Sequence, residues 1–161
     1  MVGKQRKLLD PGSRAPDVRL PQLDGGTIAL QEILANGPAL IAFFKTTCPV
    51  CQLTFPFLER IHKGGTLPVY AISQDDAEDT REFNRQFGLT LPTLLDTGRS
   101  GFPASNAFGI SSVPSMFLIE SDGGIARVIE GWSKREIESL AGLAGVEAIR
   151  RGDNVPEWKP G

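Results

Sequence analysis

Two cysteines, Cys48 and Cys51, are the residues whose type and spacing could do chemistry. They follow the apolar run Ala39 to Phe44, which has strand length, and they open a stretch able to form a helix. Cys48 is thereby expected at the helix cap, with Pro49 at the first helical position, where a missing N–H costs nothing. The free N–H groups of Val50 and Cys51 would then point back at the Cys48 sulfur. Such donors, with the positive end of the helix dipole, lower a thiol pKa from about 8.5 to between about 3.5 and 7.5. Cys48 is the expected nucleophile. Cys51, one turn further in, faces its partner along the helix and keeps a more ordinary, more buried thiol. It is the expected resolving cysteine, attacking a mixed disulfide on Cys48.

Zinc is the main rival use for such a pair. A zinc site needs three or four N/S ligands, and the chain's single histidine, His62, is the only further candidate. Fourteen residues of helix separate it from Cys48, about 21 Å, so it cannot share a site with the pair. No metal is expected, and no cofactor beyond the dithiol itself.

Composition bounds the rest. With 161 residues, 40% hydrophobic and 22% charged, the chain can bury one substantial core, and a single domain is expected. A net charge of −2 without a large basic cluster gives no basis for a nucleic-acid or anionic-membrane partner, and no nucleic acid is expected. From Met1 to Asp10 the only apolar run beyond Val2 is Leu8-Leu9, too short for a signal peptide or a membrane helix. As written, the chain reads as a soluble cytoplasmic monomer without membrane insertion, and as extracytoplasmic if a leader has been removed.

The elements that must position the cysteines can be placed in order. Residues 1–13 are expected as a flexible arm, 14–150 as the domain, and 151–161 as a loosely held tail. A hairpin forms about Asp24-Gly25-Gly26, followed by a short helix from Gln31 to Ala35. The strand Ala39 to Phe44 leads into the cysteine helix, which buries Cys51, Phe55, Leu58 and Ile61 and stops at Gly64-Gly65. Leu67 to Ile72 is a second strand, parallel to the first. Ser73-Gln74-Asp75-Asp76 is the expected start of a helix whose beginning is acidic, with Asp75-Asp76 and Glu78-Asp79, and which carries Phe83 and Phe87 and ends at Gly88. Leu91 to Leu95 is a short edge strand, and Asn106 to Gly109 a short helix. Ser115 to Ile119 and Ile125 to Ile129 form an antiparallel hairpin. Ser133 and Glu136 make a capping box for a last helix that buries Ile137, Leu140, Ala141, Ala144 and Ala148.

This arrangement, with Pro56 inside the helix and Val113-Pro114 before an apolar strand, resembles the thioredoxin fold. That fold is α/β, a central mixed sheet flanked by helices, here with an N-terminal β-hairpin extension. The segment Gly12 to Leu20 with Leu23-Asp24-Gly25 narrows the resemblance to the TlpA/ResA-like thiol–disulfide oxidoreductases within the redoxin group. The resemblance covers residues 12 to about 149. It implies that Pro114 is a cis-proline beside the active site and that Val113 and Ser115 offer backbone groups to substrate. With Thr47 and Pro49 beside Cys48, these complete the expected substrate surface. It further implies protein or small-molecule thiols and disulfides as substrates, and a redox partner that recycles the pair.

The chain departs from that family at three places. Thr47 stands where Trp often precedes the first cysteine, and Ala42 where thioredoxins keep a buried carboxylate. Thr54 stands where related enzymes often place a Glu. Cys51 therefore lacks an obvious base, leaving water or Lys45, and slow resolution of mixed disulfides is expected. Lys45 also reads as a solvated strand-end charge, and Trp132 as either a substrate-lining or a packing residue. Two other functions compete with the oxidoreductase. A peroxiredoxin-like peroxidase would need a Pro-x-x-x-Thr-x-x-Cys frame, which finds Ile41 and Lys45 here. A redox-gated binding module would grip a peptide beside Pro114 without turnover.

Overall fold

A computed structural model of the chain describes residues 7–161. Met1 to Arg6, the first part of the expected arm, lie outside the described residues. The elements run β1 (Arg19–Pro21), β2 (Thr27–Ala29), α1 (Leu30–Ile33), β3 (Ala39–Phe44), α2 (Pro49–Gly64), β4 (Val69–Ser73) and α3 (Ala77–Phe87). There follow β5 (Thr93–Leu95), α4 (Pro103–Phe108), β6 (Ser115–Ile119), β7 (Ile125–Glu130), β8 (Trp132–Ser133), α5 (Lys134–Ala144) and β9 (Trp158–Lys159). The central sheet has the order β5-β4-β3-β6-β7. Its β3, β4 and β5 are parallel, and β6 and β7 antiparallel to their neighbours. This is the expected thioredoxin-like mixed sheet, and β1–β2 is the expected N-terminal hairpin.

β3 is central because every one of its six residues is buried. A strand covered on both faces needs an uninterrupted apolar run, and Ala39 to Phe44 is one. Phe44 meets Phe55 of α2 and Phe83 of α3 at ring distances of 4.5 and 4.9 Å. Phe43, on the other face, meets Phe108 of α4 and Phe117 of β6 at 5.2 and 5.9 Å. Helix α2 buries Cys51, Phe55, Leu58 and Ile61, the stripe expected from their spacing.

Some boundaries differ from expectation. β4 begins at Val69, two residues late, because Pro68 has no N–H to give the ladder; its carbonyl accepts from Leu40 N–H at 2.9 Å. Helix α4 begins three residues early, at Pro103. The buried Asp96 carboxylate caps it from a distance, accepting Ala104 N–H at 2.8 Å and Ser105 N–H at 2.7 Å.

Residues 9–12 and 156–159 touch the rest of the domain more than their composition suggests. Leu9 N–H donates to Phe108 O, and Gly12 N–H to Ile125 O. At the other end β9 pairs with β8, and Trp132 Nε1–H donates to Pro156 O at 2.6 Å. Trp132 is fully buried against Phe57, so it packs rather than lines a surface. Among the described residues no helix is long and apolar enough to cross a membrane.

Candidate active site

The site is built where β3 hands over to α2. Cys48 has extended backbone angles (φ −82°, ψ 113°) and is the N-cap of α2, with Pro49 the first helical residue. Its carbonyl accepts Gln52 N–H at 3.0 Å, and its sulfur accepts Cys51 N–H at 3.2 Å. A polar cap atom is what a helix start requires, and here the sulfur supplies it. The turn before it is pinned from two sides. Thr46 N–H donates to Asp75 Oδ2 at 2.7 Å, and Gln52 Nε2 donates to Thr46 O at 3.1 Å. The turn, and with it Cys48, is held both to the segment that follows β4 and to α2.

The two thiols are driven in opposite directions. Cys48 is lowered from 9.0 to about 6, first by the Cys51 thiol donating to it, then against partial burial by the N–H groups of Cys51 and Val50 and the charge of Lys45. Cys51 is fully buried. Burial raises its pKa, and its bond to Cys48 and the charge of Asp75 raise it further. One thiolate at neutral pH, held by one neutral thiol, is the resulting state.

The second wall is the loop before β6. The Val113–Pro114 peptide bond is cis. The Cys48 sulfur lies 3.4 Å from Val113 O, an oxygen that can accept only from the protonated thiol and so opposes ionisation. The Cys51 thiol, the N-terminal N–H donors and Lys45 outweigh it.

Of the residues expected at the substrate surface, Thr47 and Pro49 are exposed beside Cys48, while Val113 and Pro114 are buried. Ser115 is fully buried between β3 and β7, paired with Phe43 and Glu130, and its hydroxyl donates to Ser112 O at 2.8 Å, which ties it to the loop before β6. Lys45 is exposed, and its charge acts on Cys48 rather than Cys51. His62 sits in the last turn of the same helix, α2, with Nδ1 accepting Val69 N–H at 3.0 Å.

Neither Ala42 nor Thr54 brings a carboxylate to Cys51; the Thr54 hydroxyl donates to Val50 O. Asp75 is the acid that sequence reading missed. It looked like part of an acidic helix start, yet the cap of α3 is Asp76, and Asp75 turns toward the cysteine loop instead. The parallel β3–β4 pairing, which sets Phe44 against Ser73, is the signal that could have found it.

A cavity of about 470 Å³ lies elsewhere. It lies between Arg14–Asp17, Leu30–Ala35 and Ser121–Gly123, at the Ala39/Ile119 end of the sheet, and its lining has no nucleophilic thiol. A cavity of about 220 Å³ adjoins the cysteine site, lined by Lys45, Gln74, Ser105, Ser112 and Val113 among others.

Comparison with known proteins agrees with this geometry. The "Thiol-disulfide oxidoreductase ResA" of Halalkalibacterium halodurans is 28% identical over 148 residues, 89% of this chain and 82% of that protein. A solved structure of a candidate protein disulfide isomerase from Bacteroides thetaiotaomicron superposes with a TM-score of 0.72 at 26% identity, covering 84% of this chain and 87% of the other. The peroxidoxin BcpB of Mycobacterium tuberculosis shares the fold, with a TM-score of 0.70 at 18% identity over 84% of this chain and 97% of its own. The AhpC/TSA family model matches residues 11–128, and the chain belongs to that family.

Proposed function

We propose that the protein is a thiol–disulfide oxidoreductase whose working groups are Cys48 and Cys51. The observation that carries this reading is the Cys48 sulfur capping α2, lowered to about 6, beside a buried and protonated Cys51. The Cys48 thiolate attacks one sulfur of a substrate disulfide; that S–S bond breaks and one half leaves as a thiolate. Cys51 then gives up its proton and attacks the Cys48 sulfur. The second half leaves, a Cys48–Cys51 disulfide forms, and two electrons have passed to the substrate. In this reading the dithiol itself carries the electrons, and a second redox protein or thiol returns them. Run backwards, the same steps oxidise a substrate dithiol.

The proton of Cys51 is the difficult one to move. Asp75, whose charge already acts on that thiol, is its acceptor in this scheme, directly or through water. Thr47 and Pro49 flank the approach to Cys48, and Val113–Pro114 forms its wall.

The shared fold of a peroxidoxin raises the peroxidase alternative, but Ile41 and Lys45 occupy the Pro and Thr positions of the peroxidase frame. Hydrogen peroxide should oxidise Cys48 no faster than it oxidises a free thiol of similar pKa. Equilibration in graded thiol–disulfide buffers tests the main reading. A single two-electron transition between dithiol and intramolecular disulfide is expected, within the span of about −270 to −120 mV of working dithiols. Failure to form the Cys48–Cys51 disulfide anywhere in that range would leave only a binding role.

A further inference from the structure

The last residues of the chain lie across the loop that Cys48 faces. β9 pairs with β8, and Lys134 N–H donates to Glu157 O at 2.9 Å. The chain then crosses Gly131, whose φ of 73° and lack of Cβ permit the approach; a Cβ there would stand 2.4 Å from Lys159 O. Gly161 is brought against the cis-proline loop. A Cβ on Gly161 would stand 2.5 Å from Val113 O and 3.4 Å from Pro114 N. That Val113 oxygen is the atom 3.4 Å from the Cys48 sulfur. It is therefore hemmed by the thiol and by the strap at once, and Val113 is only 9% exposed. An extended polypeptide laid along Val113 would have to displace residues 157–161. A small disulfide would not.

The cavity of about 220 Å³ beside the thiol is bordered by Val113 and Ser112, reaches Lys45, Gln74 and Ser105, and takes none of its lining from residues 157–161. It is below the roughly 300–1,000 Å³ of pockets that enclose drug-sized ligands, so it suits one half of a small disulfide. Lys45 supplies its only charge, and the Lys45 ammonium has no carboxylate partner among the described ion pairs. The remaining polar lining is hydroxyl and amide. A cation beside neutral hydrogen-bonding groups selects for a carboxylate.

Resting on the thiol–disulfide reading above, we propose that Cys48 acts on low-molecular-weight disulfides that carry carboxylates, seated toward Lys45, and that residues 157–161 screen the site from extended polypeptides. The thiolate attacks the inner sulfur of the seated half, the outer half leaves as a thiolate, and Cys51 displaces the seated half. The two electrons and the Cys51 proton leave with the two product thiols.

Three small disulfides of similar size separate the outcomes: dithiodiglycolate, hydroxyethyl disulfide and cystamine, with negative, neutral and positive charge. Pre-reduced protein is mixed with each at low salt, well above the Cys48 pKa, so that thiolate content is full in every variant. Dithiodiglycolate should react about tenfold faster than cystamine, with hydroxyethyl disulfide between, and Lys45→Gln should collapse the series. A linear peptide disulfide should react at least about tenfold more slowly than hydroxyethyl disulfide with the intact chain, and deletion of residues 157–161 should close most of that gap. Should the deleted chain fail to fold, the peptide-to-small ratio of the intact protein decides the strap alone. Equal rates across the charge series, a series that survives Lys45→Gln, or a peptide as fast as the small disulfides would overturn the proposal. If hydroxyethyl disulfide itself does not react, the oxidoreductase reading has failed instead.

Discussion

Helices α2 and α5 start in the same way and end up with different jobs. Each has an extended N-cap residue whose side chain accepts the N–H three residues on: the Cys48 sulfur from Cys51 at 3.2 Å, the Ser133 hydroxyl from Glu136 at 3.2 Å. Around Ser133 the positive helix end is already answered, by Glu136 in the first turn. β9 lies alongside, and Lys134 pairs with Glu157. The first turn of α2 has no acidic residue, and of its two thiols the half-exposed Cys48 is the one that its surroundings push toward the anion, while burial holds Cys51 protonated. A hydroxyl cannot ionise in this range, whereas at Cys48 the Cys51 thiol, joined by N–H donors of the kind that hold Ser133, favours a thiolate. Cap geometry alone confers stability. Chemistry needs an acid at the cap and no competing anion.

The sharpest way to break the comparison is to give α2 the cap of α5. Cys48→Ser keeps a hydrogen-bonding cap and should lower disulfide turnover by at least about a thousandfold, measured as initial rates, while the fold survives. Next in size is a pH effect on the reduced protein. Cys48 has a folded pKa lowered from 9.0 to about 6. Its contribution to stability is therefore absent below pH 6, grows between 6 and 9, and would be complete above 9. Cys51 acts with the opposite sign. Its raised pKa keeps it protonated when the unfolded thiol ionises, so stability falls again above pH 9. Because Cys48 is partly exposed, solvent screening limits the gain to about 1–2 kcal/mol. Thermal unfolding at stepped pH should show the rise in the reduced protein and its loss in Cys48→Ser. Smaller still, Asp75→Asn should slow resolution of a mixed disulfide about tenfold, followed by single-turnover kinetics, with Cys48 alkylation nearly unchanged. Ser133→Ala should cost about 1 kcal/mol in denaturant unfolding and leave thiol reactivity alone.

Much of this site could be read along the chain because it is local. Ala39 to Phe44 is an unbroken apolar run, Pro49 marks the first helical position, and the spacing of Ser133 and Glu136 is a capping box; β3, α2 and α5 follow from them. The signals that were missed cross the sheet or come from far along the chain. Asp96 caps α4, and its role shows only once β5 is folded beside that helix. Asp75 reaches the cysteine loop only because β4 lies parallel to β3. The segment ending at Gly161 is polar and rich in proline, so nothing in its periodicity announces that it crosses Gly131 to reach Val113.

The central claim is that the α2 N-terminus divides the two thiols into a nucleophile and a reserve. Alkylation of the reduced protein across pH, with each cysteine followed separately by mass spectrometry, tests it directly. Cys48 should be modified with an inflection near about 6 while Cys51 stays unmodified past pH 9. Two cysteines that react together, with a shared inflection near the ordinary thiol value of 9.0, would contradict it.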